Sequence, residues 1–228
     1  MTLLKSEMKV EAVGDAVNTS KRVYRAPQRD TAAARTREAI VAAGADVFVR
    51  LGWSGATMRG IADQAGVSIK TVEARYGKKA ALLRDVVYYA IAGEVVDAPT
   101  APRESVAAMK AAGDAAEMLR LHARHVRSIN ERAAGIFWAV EHAAQADEDA
   151  GVLWAQLLEN RRFGARWAAK TLLAKSGLPS SLDQSYAEEV FWMGIEPGTY
   201  RSLTLGRGFT PDQFETWTEN LYVRMLLG

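Results

Sequence analysis

The chain has 228 residues, of which 49% are apolar and 25% are charged, and its net charge is +2. These values are typical of a globular protein that buries a core, built as one large domain or as a small domain joined to a larger one. The absence of cysteine excludes disulfides, thiol catalysis, iron–sulfur clusters and cysteine-ligated zinc. No apolar run is long enough to cross a bilayer, and charged residues interrupt any N-terminal signal, so we expect a soluble, cytoplasmic protein.

Positive charge is concentrated towards the N-terminus. Residues 20–84 contain 13 Lys/Arg and 5 Asp/Glu, a net charge of +8, whereas residues 85–228 have a net charge of −5. A basic segment joined to an acidic remainder favours a polyanion-binding domain on a separate body. A solvated basic surface without a partner explains the same charges, so charge alone leaves both interpretations open.

The chain begins with a segment that lacks helical periodicity. Residues 1–29 are predicted to form a flexible extension, basic at Lys21, Arg22, Arg25 and Arg29. From residue 30 onward helical periodicity recurs and strand patterns are nearly absent, which predicts an all-α fold. Helices are predicted at residues 30–50, 57–64, 69–75, 78–96, 114–132, 134–145, 148–176, 182–205 and 211–227. Glycines such as Gly52, Gly66 and Gly135 mark predicted breaks, and residues 97–103, with two prolines, are the clearest linker.

Two of these helices are very short and are joined by a turn at Gly66. This pattern, over residues 57–75, is typical of a helix-turn-helix, in which Ile61, Val67 and Val72 pack inward. The second helix then presents outward the side chains suited to the bases and phosphates of a major groove: Ile69, Lys70, Thr71, Glu73 and Arg75. A structural helical hairpin inside an enzyme is the alternative, but the position within the basic segment favours DNA.

Residues 33–86 resemble the DNA-binding domain of the tetracycline-repressor (TetR) family of transcription regulators. The matching residues are, in order, Arg35-Thr36-Arg37, Ile40, Ala42-Ala43, Phe48, Gly52, Thr57, Ile61-Ala62, Ala65-Gly66-Val67-Ser68, Thr71-Val72, Gly77-Lys78-Lys79 and Leu82-Leu83. Residues 192–201 and 208–217 are also similar to the last two helices of many members. The resemblance implies a three-helix DNA-binding domain at residues 30–84, fused to a larger helical ligand-binding and dimerisation domain at residues 85–228.

A DNA contact set follows from the exposed helix and from the resemblance. It comprises Arg35, Thr57, Ser68, Ile69, Lys70, Thr71, Glu73, Arg75, Tyr76, Lys78 and Lys79. The family usually has tyrosine where Glu73 stands and phenylalanine where Tyr76 stands, so the resemblance implies that an expected phosphate contact is lost at Glu73. This glutamate either accepts a hydrogen bond from a cytosine amino group or pairs with Arg75 or another cation.

The resemblance places a ligand pocket and a dimer interface in the body. The candidate pocket residues are Phe137, Trp138, Glu141, His142, Trp154, Phe163, Trp167 and Trp192, although aromatic residues at helical spacing are also common in a plain core. The candidate dimer residues, on the last two helices, are Val190, Trp192, Phe214, Trp217, Leu221 and Met225, with intramolecular burial as the alternative. His122 and His125 lie three residues apart, but without an evident acidic third ligand we expect no metal.

The sequence has no recognisable enzyme motif, and we expect neither catalysis nor a cofactor. The predicted function is a homodimeric DNA-binding regulator, a repressor released from a double-stranded palindromic operator by a small apolar or amphipathic ligand. Two alternatives stay open: a helical ligand-binding or enzymatic protein with a vestigial helix-turn-helix, and an interaction protein that works only through dimerisation.

Deletion of residues 1–29 is expected to weaken DNA binding and to reduce its dependence on salt, because the segment contains four cations near the first helix. Each lost phosphate contact lowers the slope of log K against log salt by about 0.9. Anisotropy titrations at several salt concentrations measure the slope, and sedimentation checks that the dimer persists. An unchanged affinity and slope would show that the segment takes no part in binding.

Overall fold

The computed structural model describes residues 27–95 and 103–228. These ranges are mostly helical and contain no strand, which confirms the predicted all-α fold. The helices are α1 (Pro27–Gly55), α2 (Met58–Gln64), α3 (Ile69–Tyr76), α4 (Lys79–Ala92), α5 (Arg103–Ala111), α6 (Ala115–Ala143), α7 (Glu148–Leu173), α8 (Gln184–Gly194), α9 (Pro197–Arg201) and α10 (Pro211–Leu226), with a π-helical turn at Ser202–Gly206. Of the predicted extension, residues 1–26 lie outside the described residues, and residues 27–29 belong to α1.

The two short helices are closed by side-chain caps that the sequence supplies. The Thr57 hydroxyl accepts a hydrogen bond from the Gly60 amide at 3.0 Å, and the Ser68 hydroxyl accepts one from the Thr71 amide at 3.1 Å. Each cap satisfies an amide that the first turn of a helix leaves without a partner. Gly66 adopts a φ of +69°, a conformation that favours glycine, and so permits the tight turn between α2 and α3.

The helices differ from the predictions at three places. Gly135 does not break the chain but lies inside α6, where a Cβ atom would approach Val49 of α1 to 3.1 Å. The missing side chain therefore permits close helix contact, which offsets the helix propensity of about 1 kcal/mol lost at glycine. The helix predicted at residues 182–205 ends at Gly194, and Pro197 begins α9 as a residue of its first turn. Helix α5 was not predicted; it has only nine residues and directly follows the proline-containing segment that was predicted as a linker.

The described residues form two main cores. The head core joins α1 to α4 with the second half of α6 and the first half of α7, and Phe48, Ile61, Val72 and Leu83 are fully buried in it. The body core joins α5, the first half of α6, the second half of α7, α8 and α10. Helix α6 contributes to both cores, so it fixes the head to the body.

Gly194→Ala is expected to destabilise the fold by about 1–3 kcal/mol through overpacking. A Cβ atom on Gly194 would overlap the ring and hydroxyl of Tyr222, which is fully buried. The matched control is Gly164→Ala in the interior of α7, where nothing lies within 4 Å of the added carbon. Because alanine has a higher helix propensity than glycine, Gly164→Ala should raise the free energy of unfolding by up to about 1 kcal/mol. Urea unfolding measures both, and equal midpoints would contradict the close α8–α10 contact.

Candidate nucleic-acid interface and ligand cavity

Helix α3 has one buried face and one exposed face. Val72 is fully buried and Tyr76 is 9% exposed, and both belong to the head core. The opposite face is in solvent and carries Lys70, Thr71, Glu73 and Arg75, while Ile69 is half-buried beside it. The helix is therefore held by one side, and its polar side is free to enter a groove that accepts an α-helix.

Hydrogen bonds between exposed side chains join α2 to α1. The Gln64 amide donates to the Asp46 carboxylate at 2.9 Å, and the Arg50 guanidinium donates to Asp46 and to the Gln64 carbonyl, each at 3.2 Å. The hydrogen bond from Gln64, followed by the one from Arg50, lowers the pKa of Asp46. All three side chains are exposed, so the network fixes geometry more than it adds stability.

Tyr76 faces the interior rather than the DNA side of α3. Its hydroxyl donates to the Asp85 carboxylate at 3.2 Å, and the Arg37 guanidinium donates to the same oxygen at 3.0 Å. Burial, together with the negative charge of Asp85, raises the pKa of Tyr76. These contacts link α3 to α1 and α4, which makes Tyr76 a residue that positions the helix.

The two lysines at the start of α4 have different surroundings. The Lys79 ammonium donates to the backbone carbonyls of Trp53 and Ala56 at 2.6 and 2.9 Å and lies 4.0 Å from the centre of the Trp53 ring. Burial lowers its pKa. Lys78 is exposed and pairs with Asp149 of α7 at 2.7 Å, which raises the pKa of the lysine. Lys79 thus satisfies backbone carbonyls at the end of α1, whereas Lys78 lies at the surface.

Glu73 and Arg75 project from the exposed face without pairing with each other in the described part of the chain. The Arg75 guanidinium lies 5.8 Å from the centre of the Tyr76 ring. Of the other predicted contact residues, Arg35 is exposed on α1, and Thr57 and Ser68 are exposed at the helix caps that they form.

A cavity of about 370 Å³ lies in the body between α4, α5, α6, α7 and the turn after α8. Its wall is mostly apolar, with five polar residues that the sequence analysis did not assign to it: His122, His125, Asn130, Asn160 and Arg161. Phe137, Phe163 and Trp167, which were predicted to meet a ligand, line it. The volume lies within the range of small-molecule sites. Two amides, two imidazoles and one guanidinium therefore provide its polar contacts.

The other predicted ligand residues lie elsewhere: Trp138, Glu141, His142, Trp154 and Trp192. Trp138 is 40% exposed and packs against the His142 ring on the outer side of α6, with the ring centres 4.1 Å apart and the ring planes tilted by 42°. Trp138 follows Phe137 directly, and successive residues on a helix point about 100° apart, so only one of the two can reach the cavity. The missed residues His122, Val126, Ile129 and Asn130 recur, together with the predicted Phe137, at helical spacing along one face of α6. The mixture of polar and apolar side chains on this face hid the signal.

The cavity is close to electrically neutral. Burial lowers the pKa of His122 to about 3. Burial, followed by the charge of Arg132, lowers the pKa of His125 to about 4. The His125 ring and the Ser105 hydroxyl form a hydrogen bond of 2.9 Å. Both imidazoles are consequently uncharged at neutral pH. The Arg161 guanidinium pairs with the Glu196 carboxylate and lies 4.2 Å from the centre of the Trp192 ring. No group of three or more metal-ligating side chains occurs in the part of the chain that the structure describes.

Comparisons with known proteins agree with this geometry. Residues 40–86, which span the last turns of α1, the helix-turn-helix and the first half of α4, match the family model described as bacterial regulatory proteins, tetR family. This part of the chain is therefore similar to the DNA-binding domain of the TetR family. No helix within the described ranges has the length and apolar character that a membrane span requires.

Solved structures with the TetR fold extend the likeness to the body. A protein of Pseudomonas aeruginosa PAO1, proposed to be a transcriptional regulator, is 20% identical, covers 90% of this chain and 94% of its own, and has a TM-score of 0.61. A proposed TetR-family regulator of Rhodococcus sp. is 16% identical over 84% and 98% of the two chains, with a TM-score of 0.60. A TetR-family transcription regulator of Marinobacter aquaeolei VT8 is 20% identical over 87% and 97%, with a TM-score of 0.54. The comparison with curated proteins gave no match.

TetR-family regulators bind DNA and typically dimerise, and the structure places the candidate dimer residues in two groups. Phe214 is fully buried and Val190 is 8% exposed, both within the cores of their own chain. Trp192, Trp217 and Leu221 are half-buried, and Met225 is 44% exposed. Met193 and Tyr186 of α8 add further exposed apolar surface. Intramolecular burial therefore accounts for part of the apolar pattern, and α8 and α10 keep an exposed apolar remainder.

Glu73 offers a test of whether the exposed face of α3 reads DNA bases. If the carboxylate accepts a hydrogen bond from cytosine, Glu73→Ala should reduce discrimination at one base pair by about 1–3 kcal/mol. If it only repels phosphate, the same change should tighten binding to every sequence alike. Arg75→Ala should weaken binding in both cases, because it removes a cation from the exposed face.

Anisotropy titrations with operator and random DNA distinguish these outcomes. Glu94→Ala is the control, since Glu94 is an exposed glutamate at the far end of α4 from the helix-turn-helix. If neither the Glu73 nor the Arg75 variant alters binding to either DNA, then α3 does not lie in the groove.

Proposed function

We propose that this transcriptional regulator is a homodimeric repressor, which binds a palindromic operator through α3 and is released by a small ligand in the body cavity. The observation that carries the proposal is the two-sided character of α3. Its buried side anchors it, and its exposed side presents Lys70, Thr71, Glu73 and Arg75. These side chains have the donors, acceptors and charge that base edges and phosphates require.

The charge of the head supports binding to the DNA backbone. Residues 20–84 have a net charge of +8, and within the described part of the head Arg35, Arg59 and Arg84 are exposed besides Lys70 and Arg75. Cations on one surface neutralise phosphates and release condensed counterions, which supplies much of the affinity and makes it depend on salt. We therefore propose that the protein acts in the cytoplasm as a DNA-binding regulator and not as an enzyme.

The position of the cavity supports control by a ligand. Ile91, in the last turn of α4, lines the cavity, and the first turn of the same helix follows α3 directly. A ligand that displaces the far end of α4 also tilts its near end, which carries α3. In a dimer this changes the separation of the two reading helices, and a ligand that favours the altered separation disfavours DNA.

Exposed apolar side chains on α8 and α10 support dimerisation through these helices. Tyr186, Met193 and Met225 are each between 44% and 59% exposed, and the half-buried Trp217 and Leu221 lie beside them. Two copies related by a twofold axis would bury these side chains against each other as a four-helix interface. The same axis would place two α3 helices on one side of the dimer.

The test is binding to the DNA upstream of the gene that encodes the protein. A symmetric dimer should protect a near-palindrome whose half-site centres lie about 34–36 Å apart, with an affinity that falls steeply as salt rises. Footprinting locates the site, gel shifts with shuffled DNA of the same composition supply the control, and sedimentation gives the oligomeric state. A monomer at micromolar concentration that binds no DNA in a salt-dependent way would refute the proposal.

A further inference from the structure

Three side chains of the cavity wall have polar atoms without a hydrogen-bond partner among the described residues: the Asn130 carboxamide, His122 Nδ1 and Arg161 Nε. Asn130 is only 3% exposed and lines the cavity from the middle of α6. Within the described ranges no hydrogen bond involves its side chain, although a carboxamide offers two N–H donors and one carbonyl acceptor. Buried polar groups are normally satisfied, so this carboxamide calls for a partner that enters the cavity.

The charges around the cavity limit what that partner can be. Arg161 is the one permanently charged residue among the described lining residues, and Glu196 already neutralises it. The imidazoles of His122 and His125 are uncharged at neutral pH. A carboxylate brought into this apolar space would lose its hydration without gaining a free cation, and it would be repelled by Glu196.

The size of the cavity sets the size of the ligand. A cavity of about 150 Å³ accommodates benzene, so the volume of about 370 Å³ corresponds to a molecule on the order of 15 non-hydrogen atoms. Phe137, Phe163 and Trp167 provide aromatic faces in the wall, which favour a flat ring system.

We propose that the body cavity binds an uncharged ring compound whose amide, ketone or hydroxyl group hydrogen-bonds the Asn130 carboxamide, and that it rejects the carboxylate of the same shape. This inference rests on the proposed role of the body as a ligand sensor and specifies the chemistry of its ligand. The apolar wall provides affinity, and Asn130 provides orientation and discrimination between uncharged polar groups.

Naphthalene derivatives provide matched probes for the full-length protein. 2-Naphthamide and 2-naphthoate share the same rings and the same number of non-hydrogen atoms, but only the naphthoate is charged at about pH 7.5. Calorimetry should give at least roughly tenfold tighter binding of the amide than of the carboxylate. Naphthalene itself measures the apolar contribution.

The variant Asn130→Leu keeps the approximate shape of the side chain and removes its polar group. It should weaken binding of 2-naphthamide roughly tenfold while leaving naphthalene bound equally or more tightly. Asn220→Leu, the same change at an exposed position of α10 outside the cavity, is the control and should alter neither affinity. The wild-type comparison of amide and carboxylate needs no variant and stands even if Asn130→Leu fails to fold.

Three results would overturn the inference: equal or tighter binding of 2-naphthoate, no binding of any of the three probes, or an unchanged 2-naphthamide affinity in Asn130→Leu. A gel shift with the upstream DNA, run on the same preparation, separates this failure from failure of the proposed function. Loss of the ligand preference with DNA binding retained rejects the ligand class alone, whereas absence of DNA binding rejects the regulator.

Discussion

The burial of α6 in two different cores is the constraint on which the rest of the molecule depends. Its first half buries Met118, Leu119 and Ala123 in the body core, and its second half buries Ile136 and Val140 in the head core. Close-packed interiors do not deform continuously, so neither half can shift without a change in the core around it. The cavity lies along the middle of this helix, where both cores end. Its wall is therefore built from residues whose positions are fixed at both ends of the same helix.

A second fixed point sets the position of α3. The half-buried Lys79 ammonium joins the start of α4 to the carbonyls that end α1, and the Trp53 ring covers it. Removing an ammonium from water is costly, and here two carbonyl acceptors and an aromatic face offset that cost. At the opposite end of α3, the Ser68 cap and the turn at Gly66 fix its start. Between these two points the Tyr76 hydroxyl donates a hydrogen bond to Asp85. The exposed face of α3 is therefore held in one orientation relative to α1 and α4.

The parts that could be predicted from the sequence are those governed by local rules. The bounds of α2 and α3 follow from Thr57, Ser68 and Gly66, whose preferences for caps and turns act within a few residues. The cavity could not be predicted in this way, because its lining depends on which faces of α6 and α7 meet. Phe137 and Trp138 are adjacent aromatic residues of similar character, yet the first lines the cavity and the second packs against His142 outside it. Gly135 was misassigned for the same reason, since only the approach of Val49 from α1 explains its place inside a helix.

The ion pair between Lys78 and Asp149 means that the protein supplies its own counterion at the edge of the candidate DNA surface. The salt dependence of DNA binding counts the mobile ions that a protein and its DNA release into solution. A phosphate that binds Lys78 displaces the Asp149 carboxylate, which stays attached to the protein, instead of an anion from solution. Lys78 therefore has an anionic partner before and after binding, and the net charge around it changes little. Because Asp149 lies in the first turn of α7, and the middle of α7 lines the cavity, the displaced carboxylate belongs to the helix that also meets the ligand.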